Sequence, residues 1–261
     1  MLPSGKQTTA SQPQLILSGD GIWNSIQGEG PRLGRITTFL RLGGCNLTCS
    51  WCDTPYTWDW VGRNGVKFNP SEELVHKSLD WVFPVLVNHT ASTRSITITG
   101  GEPLLQARAL DALFLKMYWR DTLYEVNFET NGTRKIPQWE RLPAHKVNYV
   151  VSPKLRSAKT QPPDPHLLAE TSRYDPLYGD VDFKFVCGSI ADLDEVQRLV
   201  DKIVTEQGGF IPNTKIWIMP QGIDPSELTK TAQLLVDGVV ERGWNLTTRF
   251  HQYIWNNQRA R

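Results

Sequence analysis

The sequence lacks a long hydrophobic run, a strong charge of either sign and an abundance of cysteine. Its 261 residues contain no apolar stretch near the roughly 20 residues that a membrane-spanning helix needs. The formal net charge of +1 excludes a global electrostatic attraction to nucleic acid or membranes. Three of the four cysteines form one cluster, and an odd number cannot pair completely into disulfides. This favours a reducing compartment over a disulfide framework. We therefore expect a cytoplasmic globular protein that binds neither nucleic acid nor membranes.

The N-terminal residues lack the apolar core of a signal peptide. Met1–Gln14 is polar and contains Pro3, Gly5 and Pro13. A chain of this length can bury a substantial core in one large domain. We predict a flexible tail over residues 1–14 and a single domain over residues 15–261.

Short segments rich in β-branched residues alternate with segments of helical periodicity. The predicted strands are Ile36–Leu42, Ser95–Thr99, Tyr124–Glu129, Val147–Val151, Asp182–Val186 and Lys215–Met219. The predicted helices run from an Asn69 N-cap to about Val82, over Leu104–Arg120, over Ala191–Glu206, and from an Asp224 N-cap to near Gly243. Strands that alternate with helices indicate an α/β fold with a mostly parallel sheet.

One stretch, Pro153–Gly179, is irregular and contains five prolines. Connections within compact domains are usually much shorter than this. We predict that the stretch is a lid or an ordered, Pro-rich insert near residues 153–179, and that it does not divide the chain into two domains.

Three cysteines follow the first predicted strand in a C-x3-C-x2-C pattern: Cys45, Cys49 and Cys52. Each iron of a four-iron, four-sulfur cluster takes one protein ligand, so three thiolates would leave one iron open to a substrate or cofactor. A structural zinc site would need a fourth ligand, such as a histidine or Asp53. The remaining cysteine, Cys187, is distant and lies in an apolar run. The pattern favours the iron–sulfur cluster, while a zinc knuckle and chance clustering of buried cysteines remain alternatives.

Polar and glycine-rich turns follow several of the predicted strands. The second strand ends in Gly100-Gly101-Glu102, where paired glycines allow close approach of a ligand and Glu102 offers a carboxylate to an ammonium group. Three further turns of this kind are Glu129–Gly132, Ser152–Lys154 and Met219–Gly222. Ligands of parallel sheets bind at the carboxyl ends of the strands, so these turns predict one site at that edge. Trp51, Trp58 and Trp60 either shield the cysteines from water, form one wall of a pocket or pack beneath the cysteine loop.

Five segments together resemble one family, the 7-carboxy-7-deazaguanine synthases of the radical S-adenosylmethionine superfamily. They are SIQGEG (25–30), FLRLGGCNLTCSWCDT (39–54), TITGGEP (97–103), ETNGT (129–133) and VSPK (151–154). The resemblance implies a partial (β/α)6-type barrel. It also implies that a [4Fe-4S] cluster, S-adenosylmethionine and Mg2+ serve as cofactors.

The resemblance also implies roles for particular residues. Cys45, Cys49 and Cys52 would hold the cluster, and Thr54 would contribute to a Mg2+ site. The implied substrate contacts are Ile26, Gln27, Gly28, Arg41, Thr99 and His251. The implied cofactor contacts are Trp51, Cys52, Asp53, Gly101, Glu102, Ser152, Pro153, Lys154, Met219, Pro220, Gln221 and Gly222. Lys184 is a further candidate, although strand alternation does not settle which way it faces. A salt bridge inside the barrel is the alternative for Arg41, and a surface position is the alternative for His251.

The activity implied by the resemblance is a carbon–nitrogen lyase reaction in the biosynthesis of queuosine and other deazapurines. A flavodoxin- or ferredoxin-type carrier would reduce the cluster, and a 5′-deoxyadenosyl radical would abstract hydrogen from 6-carboxy-5,6,7,8-tetrahydropterin. Ring contraction with loss of ammonia would give 7-carboxy-7-deazaguanine. The resemblance further implies a homodimer and a C-terminal segment, residues 249–253, that folds over the substrate.

Two other functions are compatible with the cysteines. The first is an activase that installs a glycyl radical on a partner protein, which would need an open groove. The second is a non-enzymatic iron–sulfur or zinc module. The segment Tyr56–Phe68 and the Pro-rich stretch are longer than in the smallest family members, which leaves the cap over the pocket open to variation.

Overall fold

The computed structural model describes residues 13–118, 125–139, 142, 147–174, 179–256 and 258–259. Within these ranges the fold is built on a single nine-stranded sheet. Its strands are β1 Gln14–Ile26, β2 Ile36–Leu42, β3 Leu74–Ser78, β4 Ser95–Gly100, β5 Glu125–Thr130, β6 Val147–Val151, β7 Asp180–Cys187, β8 Ile216–Pro220 and β9 Asn245–Leu246. The helices are α1 Pro70–Glu73, α2 Leu79–Thr93, α3 Ala107–Tyr118, α4 Pro165–Ser172, α5 Ile190–Asp201, α6 Pro225–Glu241 and α7 Phe250–Trp255.

The strands lie in the order β3-β1-β2-β4-β5-β6-β7-β8-β9. Every pair from β2 to β9 is parallel, whereas β1 pairs antiparallel with both β2 and β3. The sheet is open, because its edge strands β3 and β9 do not pair with each other. The predicted α/β fold, a partial barrel with a mostly parallel sheet, is confirmed.

All six predicted strands are present, as β2 and β4 to β8. The sequence did not predict β1, because Gly19 and Gly21 interrupt its alternation. Both glycines have positive φ angles, 59° and 69°, and the register between β1 and β2 shifts between Leu17 and Ile22. The predicted tail lies outside the described residues except for its last two positions, and Gln14 already belongs to β1.

The prediction of one helix from Asn69 to about Val82 is wrong. Asn69 does cap a helix, accepting a hydrogen bond from the Ser71 amide at 3.1 Å, but that helix has only four residues. The chain then forms β3, which hydrogen-bonds to the exposed edge of β1. The following helix, α2, contains Pro84 in its second turn. Sheet pairing and the burial of Leu79 and Val82 outweigh the one helical hydrogen bond that a proline removes.

The remaining predicted helices are confirmed with shifted ends. The helix predicted to begin at Leu104 starts with a 3-10 turn, Pro103–Gln106, and its predicted end at Arg120 lies outside the described residues, as does Tyr124. The helix α5 continues as a π-helix over Lys202–Glu206. The Pro-rich stretch is not irregular throughout, because it contains α4.

Alternation along the strands separates the core from the concave face of the sheet. One set of side chains, including Leu40, Ile98 and Phe185, is fully buried in the main hydrophobic core. Their neighbours point to the other side, where they line a cavity: Phe39, Arg41, Thr99, Glu129, Val150, Lys184 and Val186. The polar positions of this set give the concave face hydrogen-bonding and charged groups. No helix in the described ranges is both long and apolar enough to cross a bilayer.

Candidate active site

The concave face of the sheet and the loops at its carboxyl edge enclose two adjoining cavities. The larger has a volume of about 820 Å³ and the smaller about 460 Å³. The two share a wall, which includes Trp51, Asp53, Lys154 and Lys184. A cavity of this size, with convergent polar groups at the carboxyl ends of parallel strands, is the expected position of a ligand site in such a fold.

The cysteine loop, residues 43–54, leaves β2 and brings Cys45, Cys49 and Cys52 to the larger cavity. Hydrogen-bond donors point at the sulfurs. The Leu47 amide lies 3.4 Å from Cys45 Sγ, and the Trp58 indole donates to Cys52 Sγ at 3.3 Å. Such donors stabilise sulfur that carries negative charge, as a metal-bound thiolate does.

The three cysteines fit a cluster better than a single ion. No three histidine, cysteine or acidic side chains in the described ranges lie close enough together to hold one metal ion. A four-iron cluster has no such requirement, because each thiolate binds a different iron. Burial raises the pKa of all three thiols, that of Cys49 to about 11, so metal binding must displace their protons. The residues present therefore fit an iron–sulfur cluster and disfavour a zinc knuckle.

The turn at the end of β4 packs closely against the backbone of the cysteine loop, and both of its glycines line the larger cavity. A Cβ atom on Gly100 would collide with the Leu42 backbone, and one on Gly101 would collide with Gly44, so the protein's own backbone requires both glycines. Glu102 is fully buried and lines neither cavity. Its carboxylate accepts hydrogen bonds from the Thr130 hydroxyl at 2.8 Å, the Asn131 amide at 2.7 Å and the Leu104 amide at 3.0 Å. In this structure Glu102 holds the rim together.

Arg41 projects from β2 into the larger cavity. Its guanidinium lies over the rings of Trp23 and Tyr56, at 5.2 and 6.0 Å from their centroids. No carboxylate in the described part of the chain forms an ion pair with it, so the salt bridge considered from sequence is not formed there. The indole N–H of Trp23 is also buried without a partner among these residues. Arg41 is therefore oriented by aromatic rings and available to an anion.

A hydrogen-bonded chain of polar groups lies across the floor of the larger cavity. The Glu129 carboxylate accepts hydrogen bonds from the Thr99 hydroxyl at 2.7 Å and from the side-chain amide of Gln27 at 2.9 Å. Gln27 and Thr99 were predicted to contact substrate, and the structure brings them together through Glu129. From sequence, Glu129 is expected only as part of the turn Glu129–Gly132. Successive side chains of a strand point to opposite faces of the sheet, so a core position for Phe128 predicts that Glu129 faces the concave side.

A network of buried charges stands where the two cavities meet. Glu29 forms ion pairs with Lys184 and with Arg249, at 3.3 Å for the latter, and Arg249 also pairs with Asp53. Burial alone would raise the pKa of Glu29, but the positive charges of Lys184 and Arg249 outweigh it and hold that pKa well below its usual range. These same carboxylates keep the pKa of Lys184 and Arg249 raised despite burial, which alone would lower it. No sequence pattern indicates this network, because its members are distant in sequence.

The C-terminal segment lies along the larger cavity. His251 lies against Gly28, where a Cβ atom would collide with the imidazole ring, and the Phe250 amide donates to the Gly28 carbonyl at 2.8 Å. Arg259 stacks over Tyr56, with 3.8 Å between the guanidinium carbon and the ring centroid. His251 therefore lines the site and is not a surface residue.

The predicted cofactor contacts line the smaller cavity, the larger one or both, with two exceptions. Those in the smaller cavity are Trp51, Asp53, Ser152, Lys154, Met219, Pro220, Gln221 and Gly222. Glu102 and Pro153 line neither cavity, whereas Thr54 and the remaining predicted contacts line the larger one. The indole N–H of Trp51 is buried without a partner in the described ranges, which leaves a donor free for a ligand.

An open parallel α/β sheet that carries a three-cysteine loop at its carboxyl edge defines a radical S-adenosylmethionine enzyme. Residues 26–152 match a 4Fe-4S single cluster domain. The chain is 34% identical to the 7-carboxy-7-deazaguanine synthase of Pyrobaculum aerophilum, covering 92% of this chain and 95% of that protein. It is 32% identical to that of Hyperthermus butylicus, covering 88% and 89%. The chain belongs to the 7-carboxy-7-deazaguanine synthase family.

The fold has a solved counterpart. The crystal structure of QueE from Escherichia coli superposes with a TM-score of 0.62 at 22% identity, covering 91% of this chain and 95% of that one. Family membership excludes the two alternative functions, a glycyl-radical activase and a non-enzymatic metal module.

Proposed function

We propose that the protein converts 6-carboxy-5,6,7,8-tetrahydropterin to 7-carboxy-7-deazaguanine with loss of ammonia, the reaction for which its family is named. The observation that carries this proposal is Arg41, which lies in the larger cavity with no carboxylate partner in the described part of the chain. A guanidinium binds a carboxylate through two parallel hydrogen bonds, so Arg41 suits the carboxyl group of this pterin.

The polar floor of the cavity supplies the other contacts. Glu129 offers carboxylate oxygens to the N–H groups of the pterin ring, and Thr99 and Gln27 fix its orientation through the hydrogen bonds already described. Ile26, Gly28 and His251 complete the proposed substrate contacts. The C-terminal segment excludes water from this pocket.

The smaller cavity and the wall it shares with the larger one would hold S-adenosylmethionine beside the cysteines. When bound, the cluster and this cofactor supply a 5′-deoxyadenosyl radical, which removes hydrogen from the substrate. The chain's own part is to hold the two ligands in adjoining cavities at a fixed orientation. The shared residues Trp51, Asp53 and Lys154 border both ligands in this arrangement.

Thr54 is the proposed protein ligand of Mg2+. Its hydroxyl lies at the edge of the larger cavity, 3.7 Å from Cys52 Sγ, and Mg2+ accepts oxygen ligands while keeping several positions for water or substrate. Thr54→Val removes the hydroxyl at nearly constant shape. We expect the Mg2+ concentration for half-maximal activity to rise about tenfold or more, because losing even a residue that only supports a metal ligand typically costs about 10- to 100-fold in affinity. Iron and sulfide content should not change. Unchanged Mg2+ dependence would remove Thr54 from the reaction.

Several properties complete the proposal. The chain would act in the cytoplasm as a homodimer and as a single domain over residues 15–261, with the Pro-rich stretch as an ordered insert. It would receive electrons from a flavodoxin- or ferredoxin-type carrier. Size-exclusion chromatography with light scattering tests the dimer directly, and a monomer at working concentration would contradict it.

Anaerobic reconstitution tests the activity. The protein is loaded with iron and sulfide and incubated with dithionite, S-adenosylmethionine, Mg2+ and 6-carboxytetrahydropterin, and the products are measured by mass spectrometry. We expect 7-carboxy-7-deazaguanine. Release of 5′-deoxyadenosine without that product would contradict the substrate assignment but keep the radical chemistry. Absence of cofactor cleavage by protein with a verified cluster would overturn the proposal.

A further inference from the structure

Arg249 lies directly before α7 and contacts three loops that are distant from one another in sequence. Its Nε donates to Glu29 Oε1 at 3.3 Å, its Nη1 donates to the Gly222 carbonyl at 2.9 Å, and its Nη2 pairs with Asp53. These partners lie after β1, after β8 and near the end of the cysteine loop. Each of the three guanidinium nitrogens has a partner within the protein, so Arg249 links the three loops.

Two of the three partners border the cavity proposed for S-adenosylmethionine. Asp53 and Gly222 both line the smaller cavity, and Asp53 directly follows Cys52 in the cysteine loop. The Asp53 side chain is 47% exposed, so a ligand can reach it, whereas those of Arg249 and Glu29 are only 7% and 15% exposed. A ligand in the smaller cavity therefore restricts two of the loops that hold Arg249.

The third partner of Arg249 leads to the floor of the larger cavity. The Glu29 amide donates to Gln27 Oε1 at 3.1 Å, and the Gln27 side chain belongs to the hydrogen-bonded floor. Directly after Arg249, the Phe250 amide donates to the Gly28 carbonyl at 2.8 Å, and α7 begins there and lies along the larger cavity. Arg249 is therefore connected to the proposed substrate contacts by consecutive hydrogen bonds.

The shape of the guanidinium makes the positions of its three partners depend on one another. Its N–H donors lie in one rigid plane, so a shift of one partner strains the hydrogen bonds to the other two. Separation from its carboxylates would also leave a charge with little exposure uncompensated, which is strongly unfavourable. The positions of Asp53, the Gly222 turn and α7 are therefore linked through Arg249.

We propose that Arg249 is a positioning residue that couples the two cavities, so that a ligand in the smaller one orders α7 and raises the affinity of the larger one. The inference rests on the proposed function for the identity of the two ligands, S-adenosylmethionine and the pterin. The second ligand meets a segment that is already ordered and loses less conformational freedom on binding. Coupling of this kind is reciprocal and typically changes affinity by about 5- to 150-fold.

The experiment measures this coupling in cluster-loaded protein without a reductant, so that S-adenosylmethionine is bound but not cleaved. Anaerobic calorimetry gives the Kd of S-adenosylmethionine with and without saturating 6-carboxy-5,6,7,8-tetrahydropterin, and the ratio of the two values is the coupling factor. We expect a factor of about five or more for wild type and a factor near one for Arg249→Gln. A role for Arg249 in stability alone would weaken each ligand but leave this ratio unchanged.

Two further variants complete the set. Arg242→Gln is the matched control, because Arg242 also bonds one carboxylate, that of Asp194 at 2.7 Å, and one backbone carbonyl, that of Gly238 at 2.9 Å, but lines neither cavity. It should keep the coupling factor of wild type. Arg249→Lys keeps the charge but lacks the planar fork, so it should lose most of the coupling. It takes the place of Arg249→Gln if that variant fails to bind iron or to fold.

Hydrogen exchange separates this inference from the proposed function, because it needs no pterin. S-adenosylmethionine alone should slow amide exchange over residues 250–256 in wild type, and this protection should be lost in the Arg249 variants. Unchanged exchange in wild type, a wild-type coupling factor of one, or a wild-type factor in both Arg249 variants would overturn the coupling. If the pterin does not bind wild type at all, the proposed substrate is wrong, and the exchange measurement still decides whether Arg249 connects the smaller cavity to α7.

Discussion

At the scale of single residues, the role proposed for Arg41 requires the two parallel N–H donors of its guanidinium and not charge alone. Arg41→Lys keeps the charge but removes one of two parallel hydrogen bonds to a carboxylate, each worth about 1.5–3 kcal/mol when charged. We expect KM for the pterin to rise about tenfold or more, with cluster content unchanged. The matched control is Arg35→Lys, an exposed arginine that pairs with Glu125 outside the cavities. Equal KM values for Arg41→Lys and wild type would contradict carboxylate binding by Arg41.

Glu29 is the residue on which the buried charge network depends. Glu29→Gln leaves Lys184 and Arg249 buried. Among the described residues, the Lys184 ammonium then loses its carboxylate partner, and Arg249 keeps Asp53 as its one carboxylate partner. Breaking a buried pair typically costs about 3–5 kcal/mol of unfolding free energy. Asp80→Asn, which breaks an exposed pair with Lys116, should cost at most about 1 kcal/mol. Urea unfolding of the two variants checks this, and similar losses would mean that the network contributes little.

Glu29 also predicts how the free energy of unfolding changes with pH. The pKa of Glu29 is lower in the folded protein than in the unfolded chain. Its contribution to stability is therefore complete above the unfolded pKa of about 4.3 and is lost as the pH falls through the lower, folded value. Unfolding free energies measured across this acidic range should decline more steeply for wild type than for Glu29→Gln.

At the scale of elements, the short helix α7 lies along the larger cavity, and we expect His251 to make its packing there sensitive to pH. Burial lowers the pKa of His251, and the charges around it are those of Glu29, Arg249, Asp53 and Glu129. As the pH falls below about 6.5, an open segment takes up a proton that the closed one does not, so acid favours opening. Amide hydrogen exchange over residues 249–256 should be faster, relative to intrinsic rates, at pH 5.5 than at 7.5.

Two variants of these elements serve as controls. His251→Gln should remove the pH dependence of this exchange, because no titrating group remains at that position. Gly28→Ala should open the segment at every pH, because its Cβ atom would collide with the imidazole ring. Protection that is the same at both pH values in wild type would show that His251 does not control closure.

At the scale of the whole molecule, the cysteine loop and the main core are separate. The loop packs a small group of its own, Leu47, Cys49 and Ala158, whereas the main core lies between the sheet and the helices. Removal of iron by an anaerobic chelator should therefore leave far-UV circular dichroism unchanged. Fluorescence of Trp51 and Trp58, which border the cysteines, should change. Loss of most secondary structure in the iron-free protein would show that the cluster is needed for the fold.

Much of the fold could be predicted from the sequence, because local patterns specify it. Six short β-branched segments became six adjacent parallel strands, and Asp224 caps its helix through the amides of Ser226 and Glu227. The segment Leu74–Ser78 could not be predicted in the same way. Its strand conformation depends on pairing with β1, a strand that the glycines at 19 and 21 conceal.

What the sequence by itself determined is the chemistry of the site: three cysteines in one loop, and polar turns at the ends of parallel strands that must meet at one edge. What only the tertiary structure decided is how side chains distant in sequence combine. Glu29, Lys184 and Arg249 meet from three distant segments of the chain, and their pairing depends on burial and distance, which a linear pattern does not encode. The same holds for Glu102, whose carboxylate the fold uses within the rim. The positions of polar residues in the sequence determine which groups reach the carboxyl edge of the sheet. The packing of the folded chain determines which of those groups line the cavities.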